Sequence, residues 1–184
     1  MNRRAGRFDG AALFYTAIGG CGVAWRGDAV AAVQIPERSR SETLRRLTGG
    51  FPALVDHPVP RAIGEAIDAM VALLDGDDVD LRPIEVDVGS PAPFDEAVWG
   101  VTRSIPRGSS LTYGQVAERI GQPGAAQAVG RSLGANPCPI VIPCHRVLGA
   151  DGQLVGFSAH GGVETKRRML LIEGCPAVPP SLFD

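Results

Sequence analysis

The chain has 184 residues, 45% of them hydrophobic and 21% charged, with a formal net charge of -2. This composition excludes collagen-like, low-complexity and highly charged disordered chains, and leaves room for one ordinary domain or two small ones. No apolar run approaches the roughly 20 residues that a membrane-spanning helix needs. The basic start Met1-Asn2-Arg3-Arg4 lacks the apolar stretch and cleavage site of a secretion signal, so a cytoplasmic location is expected.

Aromatic residues make up only 5% of the chain, so Ala, Val, Leu and Ile must build the core. Cys21, Cys138, Cys144 and Cys175 are even in number, but without a secretion signal free thiols are expected rather than disulfides. Cys21, His57 and His160 carry ligating atoms, yet no CxxC or HxxxH spacing asks for a metal. We expect neither metal nor cofactor. The charge is unevenly spread. Residues 1–90 hold ten arginines and thirteen acidic residues, whereas residues 97–150 hold five arginines (103, 107, 119, 131 and 146) against the single acid Glu118. A nucleic-acid-facing surface and an ordinary solvated surface explain that basic segment equally well.

In chain order, residues 11–18, 21–26 and 29–35 read as three short antiparallel strands, with turns at Gly19-Gly20 and Gly27-Asp28. Residues 41–47 read as a short helix with Leu44 and Leu47 on one face. Residues 61–74 read as a longer helix, because Ile63, Ile67, Met70, Val71 and Leu74 recur at helical spacing. Residues 84–88 read as a further strand, closing an N-terminal α/β domain over 1–88. Gly89-Ser90-Pro91-Ala92-Pro93 breaks both helix and strand and reads as a linker. Beyond it the pattern turns helical, over 94–103, over 112–120 with Thr112 as cap, and over 125–133. The tight break at residues 121–124 gives the last two a helix-turn-helix shape. A close-packed helix pair and a pair lying against DNA both fit it. The domain runs to about residue 175, with a tail over 176–184, and the expected class is α+β.

Chemistry concentrates at residues 136–148, Asn-Pro-Cys-Pro-Ile-Val-Ile-Pro-Cys-His-Arg-Val-Leu. Only a few per cent of an ordinary thiol is ionised near neutrality. A neighbouring imidazole can take its proton, and a carboxylate can orient that imidazole. Taken alone, Cys144 beside His145 would be read as a buried structural pair.

The pair does not stand alone. Ile105-Pro106-Arg107-Gly108, Thr112-Tyr113-Gly114-Gln115-Val116-Ala117, Ala128-Val129-Gly130, Asn136-Pro137, Pro143-Cys144-His145-Arg146-Val147 and the run from Lys166 to Gly174 follow one another in order. Together they resemble the C-terminal domain of O6-alkylguanine-DNA alkyltransferases, over about residues 94–174. The first eighty-odd residues match that family only in general architecture.

The resemblance implies a winged helix-turn-helix-like catalytic domain acting on double-stranded DNA that contains O6-alkylguanine. It implies Cys144 as alkyl acceptor, His145 as the base acting through a water, and Glu173 as the acid that orients the imidazole. It implies that Tyr113 presses on the phosphate beside a flipped base and assists the leaving group. The helix carrying Ala126, Gln127, Ala128, Gly130 and Arg131 would enter the minor groove. Asn136 would hold the turn around the thiol, with Pro143 and Arg146 as structural support. The product would be a thioether, which has no polarised carbonyl for water to attack, so each molecule acts once. A monomer without membrane association is expected.

Two departures bear on these expectations. The family's helix usually inserts an arginine into the gap left by the flipped base; here that position is Gln127, and Arg131 lies four residues on, on the same helical face. The loop that closes over the guanine usually carries a tyrosine; here Phe157 and Ser158 would line the base pocket, and Ala159-His160 lengthen the loop. Two other functions share some of these features. An alkyltransferase-like binding protein lacks the acceptor cysteine that is present here. A thiol hydrolase would use Cys144, His145 and Glu173 but would leave Tyr113 and the helix pair unexplained.

Overall fold

The computed structural model describes residues 8–50, 57–156 and 161–177. Cα packing divides the chain into two compact units, one of Met1–Ser90 with Pro137–Val141, the other of Pro91–Asn136 with Ile142–Asp184. The class is mixed α+β.

In the first unit, β1 (Gly10–Thr16), β2 (Gly19–Arg26) and β3 (Ala29–Gln34) form an antiparallel sheet in the order β1-β2-β3. The register pairs Thr16 with Gly19, so Ala17-Ile18 make the first turn and the expected turn residues Gly19-Gly20 begin β2 instead. Cys21 to Trp25 are all buried, the pattern of a central strand covered on both faces. Helix α1 (Arg40–Thr48) is capped by Ser39, whose side chain accepts from the Glu42 amide, and it places Leu47 against Ala11, Ala24 and Ala31. Helix α2 (Arg61–Asp75) buries Ile63, Ala66, Met70, Leu73 and Leu74. Residues 84–88 make a single parallel bridge, Val30 with Val86, rather than the expected strand. Pro137–Val141 also belong here, with the Pro137 carbonyl accepting from the Val33 amide.

The second unit carries α3 (Pro93–Arg103), β4 (Leu111–Thr112), α4 (Tyr113–Arg119), α5 (Ala126–Gly134), β5 (Val147–Leu148) and α6 (Gly162–Ile172). Pro93 opens α3, where its fixed φ suits the first helical turn. Val98, Ile105, Leu111, Val116, Ala117, Val129, Leu133 and Val147 form one buried core. Its amphipathic contributors α4 and α5 are the expected helix pair. Strands β4 and β5 pair in parallel, Leu111 with Val147 and Thr112 with Leu148. Two-residue strands and the helix α6 carry no periodic signal strong enough to have been read from sequence.

Thr112 fixes where α4 begins. Its hydroxyl accepts from the Gln115 amide at 3.1 Å while the Gln115 side chain accepts from the Thr112 amide at 2.8 Å, a complete capping box. Thr112→Ala is therefore expected to lower the unfolding free energy by about 1 kcal/mol. Urea denaturation followed by circular dichroism measures this.

Candidate active site

Cys144 opens a 3-10 turn, Cys144–Arg146, that leads straight into β5. The backbone is tightly held: the Cys144 amide donates to Ile142 O at 2.8 Å and the Arg146 amide to Pro143 O at 2.9 Å. In the turn Cys144 remains half-buried while His145 is wholly inside.

His145 Nε2 lies 2.9 Å from Glu173 Oε1, both side chains having no solvent exposure. Arg146 grips the same carboxylate with two donors, Nε to Oε2 and Nη2 to Oε1, each at 2.8 Å. Its third nitrogen, Nη1, donates to Ile105 O at 2.6 Å. Burial alone would raise the Glu173 carboxyl, but the adjoining His145 and Arg146 outweigh it and hold the group at about 2. An ionised Glu173 requires Nε2 to carry the imidazole proton, leaving Nδ1 as the acceptor. Nδ1 is buried and has no hydrogen-bond partner among the described residues.

The Ile105-Pro106-Arg107-Gly108 motif acquires a physical role. Ile105 O receives Arg146, Arg107 Nη2 donates to Ile172 O at 3.0 Å at the end of α6, and Gly108 passes beside the Glu173 carbonyl. A Cβ at Gly108 would stand 3.3 Å from that oxygen, and the residue's φ of +71° also disfavours any side chain. The turn thus seats the end of α6, on which Glu173 depends.

Burial raises the Cys144 thiol; the Asn136 side chain, the Lys166 ammonium and the amides of Cys144 and His145 act in the opposite direction. Asn136 Nδ2 also donates to Ile142 O at 2.8 Å, bracing the chain just ahead of the nucleophile. Cys21, by contrast, is buried without a base and its thiol is pushed up to about 12 by burial, which a Thr16 hydrogen bond only partly offsets. The four cysteines are free thiols. At Cys144 a hydrogen-bonding amide, Asn136, and a cation, Lys166, both act on the thiol, next to the His145 imidazole.

Tyr113, at the first position of α4, is half-buried. Its hydroxyl donates to Val155 O at 3.3 Å and Gly156 O at 3.4 Å, and burial raises its pKa. Gly156 has φ +60°, and a Cβ there would lie 3.1 Å from the Tyr113 hydroxyl. On α5, Gln127 and Arg131 are exposed, Ala126 and Ala128 are half-buried, and Val129, Ser132 and Leu133 point inward. Gly130 faces inward as well as outward: its added Cβ would touch the Tyr113 ring at 3.8 Å. Phe157 and Ser158, expected in the base pocket, lie outside the described residues.

Lys166 is a site residue that the sequence reading treated only as part of a motif. It is fully buried, and its Nζ donates to Val147 O at 2.6 Å and Val155 O at 3.0 Å. Its burial was not legible, because α6 has a weak apolar periodicity and a lysine is normally exposed.

A half-buried thiol, a buried imidazole aligned by an ionised carboxylate, and a helix pair with an exposed polar face are the parts of a candidate thiol-nucleophile site in a helix-turn-helix-like unit. Comparison with known proteins makes this specific. The family described as the 6-O-methylguanine DNA methyltransferase DNA-binding domain matches residues 93–175. The methylated-DNA–protein-cysteine methyltransferase of Methanothermobacter thermautotrophicus is 37% identical over 153 residues, covering 83% of this chain and 78% of the relative. That of Mycolicibacterium paratuberculosis is 42% identical over 114 residues, 62% of this chain and 67% of the relative. The crystal structure of Mycobacterium tuberculosis OGT in complex with DNA matches with a TM-score of 0.72 at 33% identity, covering 95% of this chain and 99% of that one. The chain belongs to the methylated-DNA–protein-cysteine methyltransferase family.

Glu173→Gln leaves the Arg146 guanidinium buried without its counter-charge, and is expected to cost about 3–5 kcal/mol of stability. Because the Glu173 pKa is depressed in the folded state, its contribution is present above its ordinary value of 4.5 and is lost as pH falls toward 2. Denaturation of both forms across that acid range should show the wild type losing its advantage over the variant.

Proposed function

We propose that this protein repairs double-stranded DNA by moving the alkyl group of an O6-alkylguanine onto the sulfur of Cys144, once per molecule. The observation that carries this reading is the half-buried Cys144 beside an imidazole whose Nε2 is committed to an ionised Glu173 and whose Nδ1 is free to accept a proton. The comparisons supply the substrate class.

His145 Nδ1 takes the Cys144 proton through one water. The thiolate attacks the alkyl carbon from behind, a sulfur–carbon bond forms as the carbon–O6 bond breaks, and the electron pair leaves with the guanine. A proton delivered to the base restores neutral guanine, so the proton lost by sulfur is balanced by the one gained by the leaving group. Tyr113 assists that protonation with its hydroxyl, after giving up its contacts to Val155 and Gly156. The thioether resists hydrolysis, so the protein is consumed.

Gln127 and Arg131 occupy one exposed face of α5. Gln127 fills the gap left by the flipped base with its amide, and Arg131 contributes a phosphate contact. Ala126, Ala128 and Gly130 let the helix approach closely. Asn136, Pro143 and Arg146 hold the nucleophile's turn, and Phe157 and Ser158 contact the base. The protein works as a monomer in the cytoplasm, without metal or cofactor; among the described residues no helix is long and apolar enough to cross a membrane. A hydrolase reading has no observation of its own in its favour.

Mixing the protein with duplex DNA containing one O6-methylguanine should add one methyl to the intact mass, and peptide mapping should place it on Cys144. Cys144→Ala should retain DNA binding and abolish the mass gain; undiminished lesion removal by that variant would overturn the proposal. Gln127→Arg adds a cation at the DNA surface and is expected to tighten binding several-fold at low salt, with a smaller effect at high salt. Unchanged affinity and transfer rate in that variant would remove Gln127 from the gap.

A further inference from the structure

The chain contains seventeen arginines and a single lysine. That lysine, Lys166, is the largest fully buried side chain among the described residues. An ammonium taken out of water is unfavourable unless hydrogen-bonded and charge-balanced. Hydrogen bonds come from two backbone carbonyls, Val147 O at 2.6 Å and Val155 O at 3.0 Å. The Tyr113 ring adds a face, with its centroid 5.6 Å from Nζ. No carboxylate among the described residues forms an ion pair with it.

The two carbonyls belong to different parts of the site. Val147 continues directly from the turn that carries Cys144, and Val155 begins the segment to which Tyr113 donates its hydroxyl. One ammonium therefore ties the nucleophile's strand to the backbone that positions Tyr113.

Charge balance points to a definite partner. Among the described residues, the titratable groups facing Lys166 are Cys144, from the 3-10 turn, and Tyr113, from α4. On its own helix, Glu164 and Arg167 pair with each other at 3.8 Å. Glu173 is occupied by Arg146 and His145. Burial pushes Lys166 down to about 8, and the negative form of Cys144 pushes it back up. With Cys144 ionised, the thiolate is the counter-charge of Lys166, as Glu173 is of Arg146. Once the sulfur is a thioether, Lys166 loses that counter-charge.

We propose that Lys166 is the positioning residue of the transfer centre, a clamp that fixes the Val147 and Val155 carbonyls and whose charge is matched to the Cys144 thiolate and unmatched once Cys144 is alkylated. This rests on the alkyl-transfer reading. It also accounts for the residue type. An arginine is never discharged and presents a broad planar fork, whereas a compact ammonium fits between two carbonyls and can release its proton near neutral pH.

The single lysine makes the test direct, because 15Nζ-labelled lysine yields one side-chain signal. In wild type that signal should titrate near 8. In Cys144→Ser, and in protein methylated on Cys144, the midpoint should fall by about one unit. Lys166→Met should raise the pH midpoint for iodoacetamide capture of Cys144 by a similar amount and slow methyl transfer at pH 7 about tenfold, with DNA affinity within about twofold. Lys166→Arg should keep the capture midpoint near wild type while still slowing transfer, because the charge remains and the clamp does not. A lysine midpoint identical in wild type and Cys144→Ser overturns the proposal, as does an unchanged capture midpoint in Lys166→Met. Should Lys166→Met lack native near-ultraviolet dichroism, the Cys144→Ser titration decides alone. These titrations need no DNA, so wild type that gains no methyl from damaged duplex would refute the alkyl-transfer reading separately.

Discussion

The buried carboxylate of Glu173 is the constraint on which the rest of the site depends. A carboxylate without solvent exposure is tolerable only when paired and hydrogen-bonded. Arg146 meets both of its oxygens, and His145 shares one of them. Each partner is then fixed in turn. The imidazole is confined to one tautomer, and the guanidinium extends its remaining donor to Ile105 O. Residue 105, the adjacent pair 145 and 146, and residue 173 are far apart in the chain, yet none of the four can shift without leaving a buried polar group unsatisfied.

Around that rigid knot the structure uses main-chain carbonyls as the adjustable parts. Val155 O accepts from both Lys166 and Tyr113, and Gly156 O accepts from Tyr113 as well. The Tyr113 contacts are long and solvent-accessible, so the hydroxyl can exchange them for a ligand at little cost. The Lys166 contact to Val155 O is shorter, at 3.0 Å, and partly buried, so the backbone that Tyr113 releases keeps its place. One segment is thereby held by a strong donor and read by a weak one. Gly156 permits this closeness, since a side chain there would collide with the phenol.

Much of the chemistry was legible from residue order. The cysteine–histidine pair stands out in the residue order, whereas Glu173, Tyr113 and the small residues of α5 were singled out by the family resemblance. Hydrophobic period located α2, α4 and α5 to within a residue or two, and Thr112 marked a helix start through its hydroxyl. Other elements left no such trace. Strands of two residues, such as β4 and β5, are too short for any alternation to register, and residues 84–88 pair through a single bridge despite an extended pattern. The first turn moved to Ala17-Ile18 because cross-strand register, not glycine content, chose it.

The sequence by itself therefore determined which groups are available: a thiol next to an imidazole, a distant glutamate, a helix with glutamine where the resembled family usually has arginine, and one lysine among many arginines. Only the tertiary structure decided their states. That Glu173 is ionised, that the imidazole proton sits on Nε2, that Arg146 serves the carboxylate, and that Lys166 is buried between two carbonyls are consequences of burial and distance. Linear order carries no information about either, because desolvation and Coulomb energy depend on what surrounds a group in space.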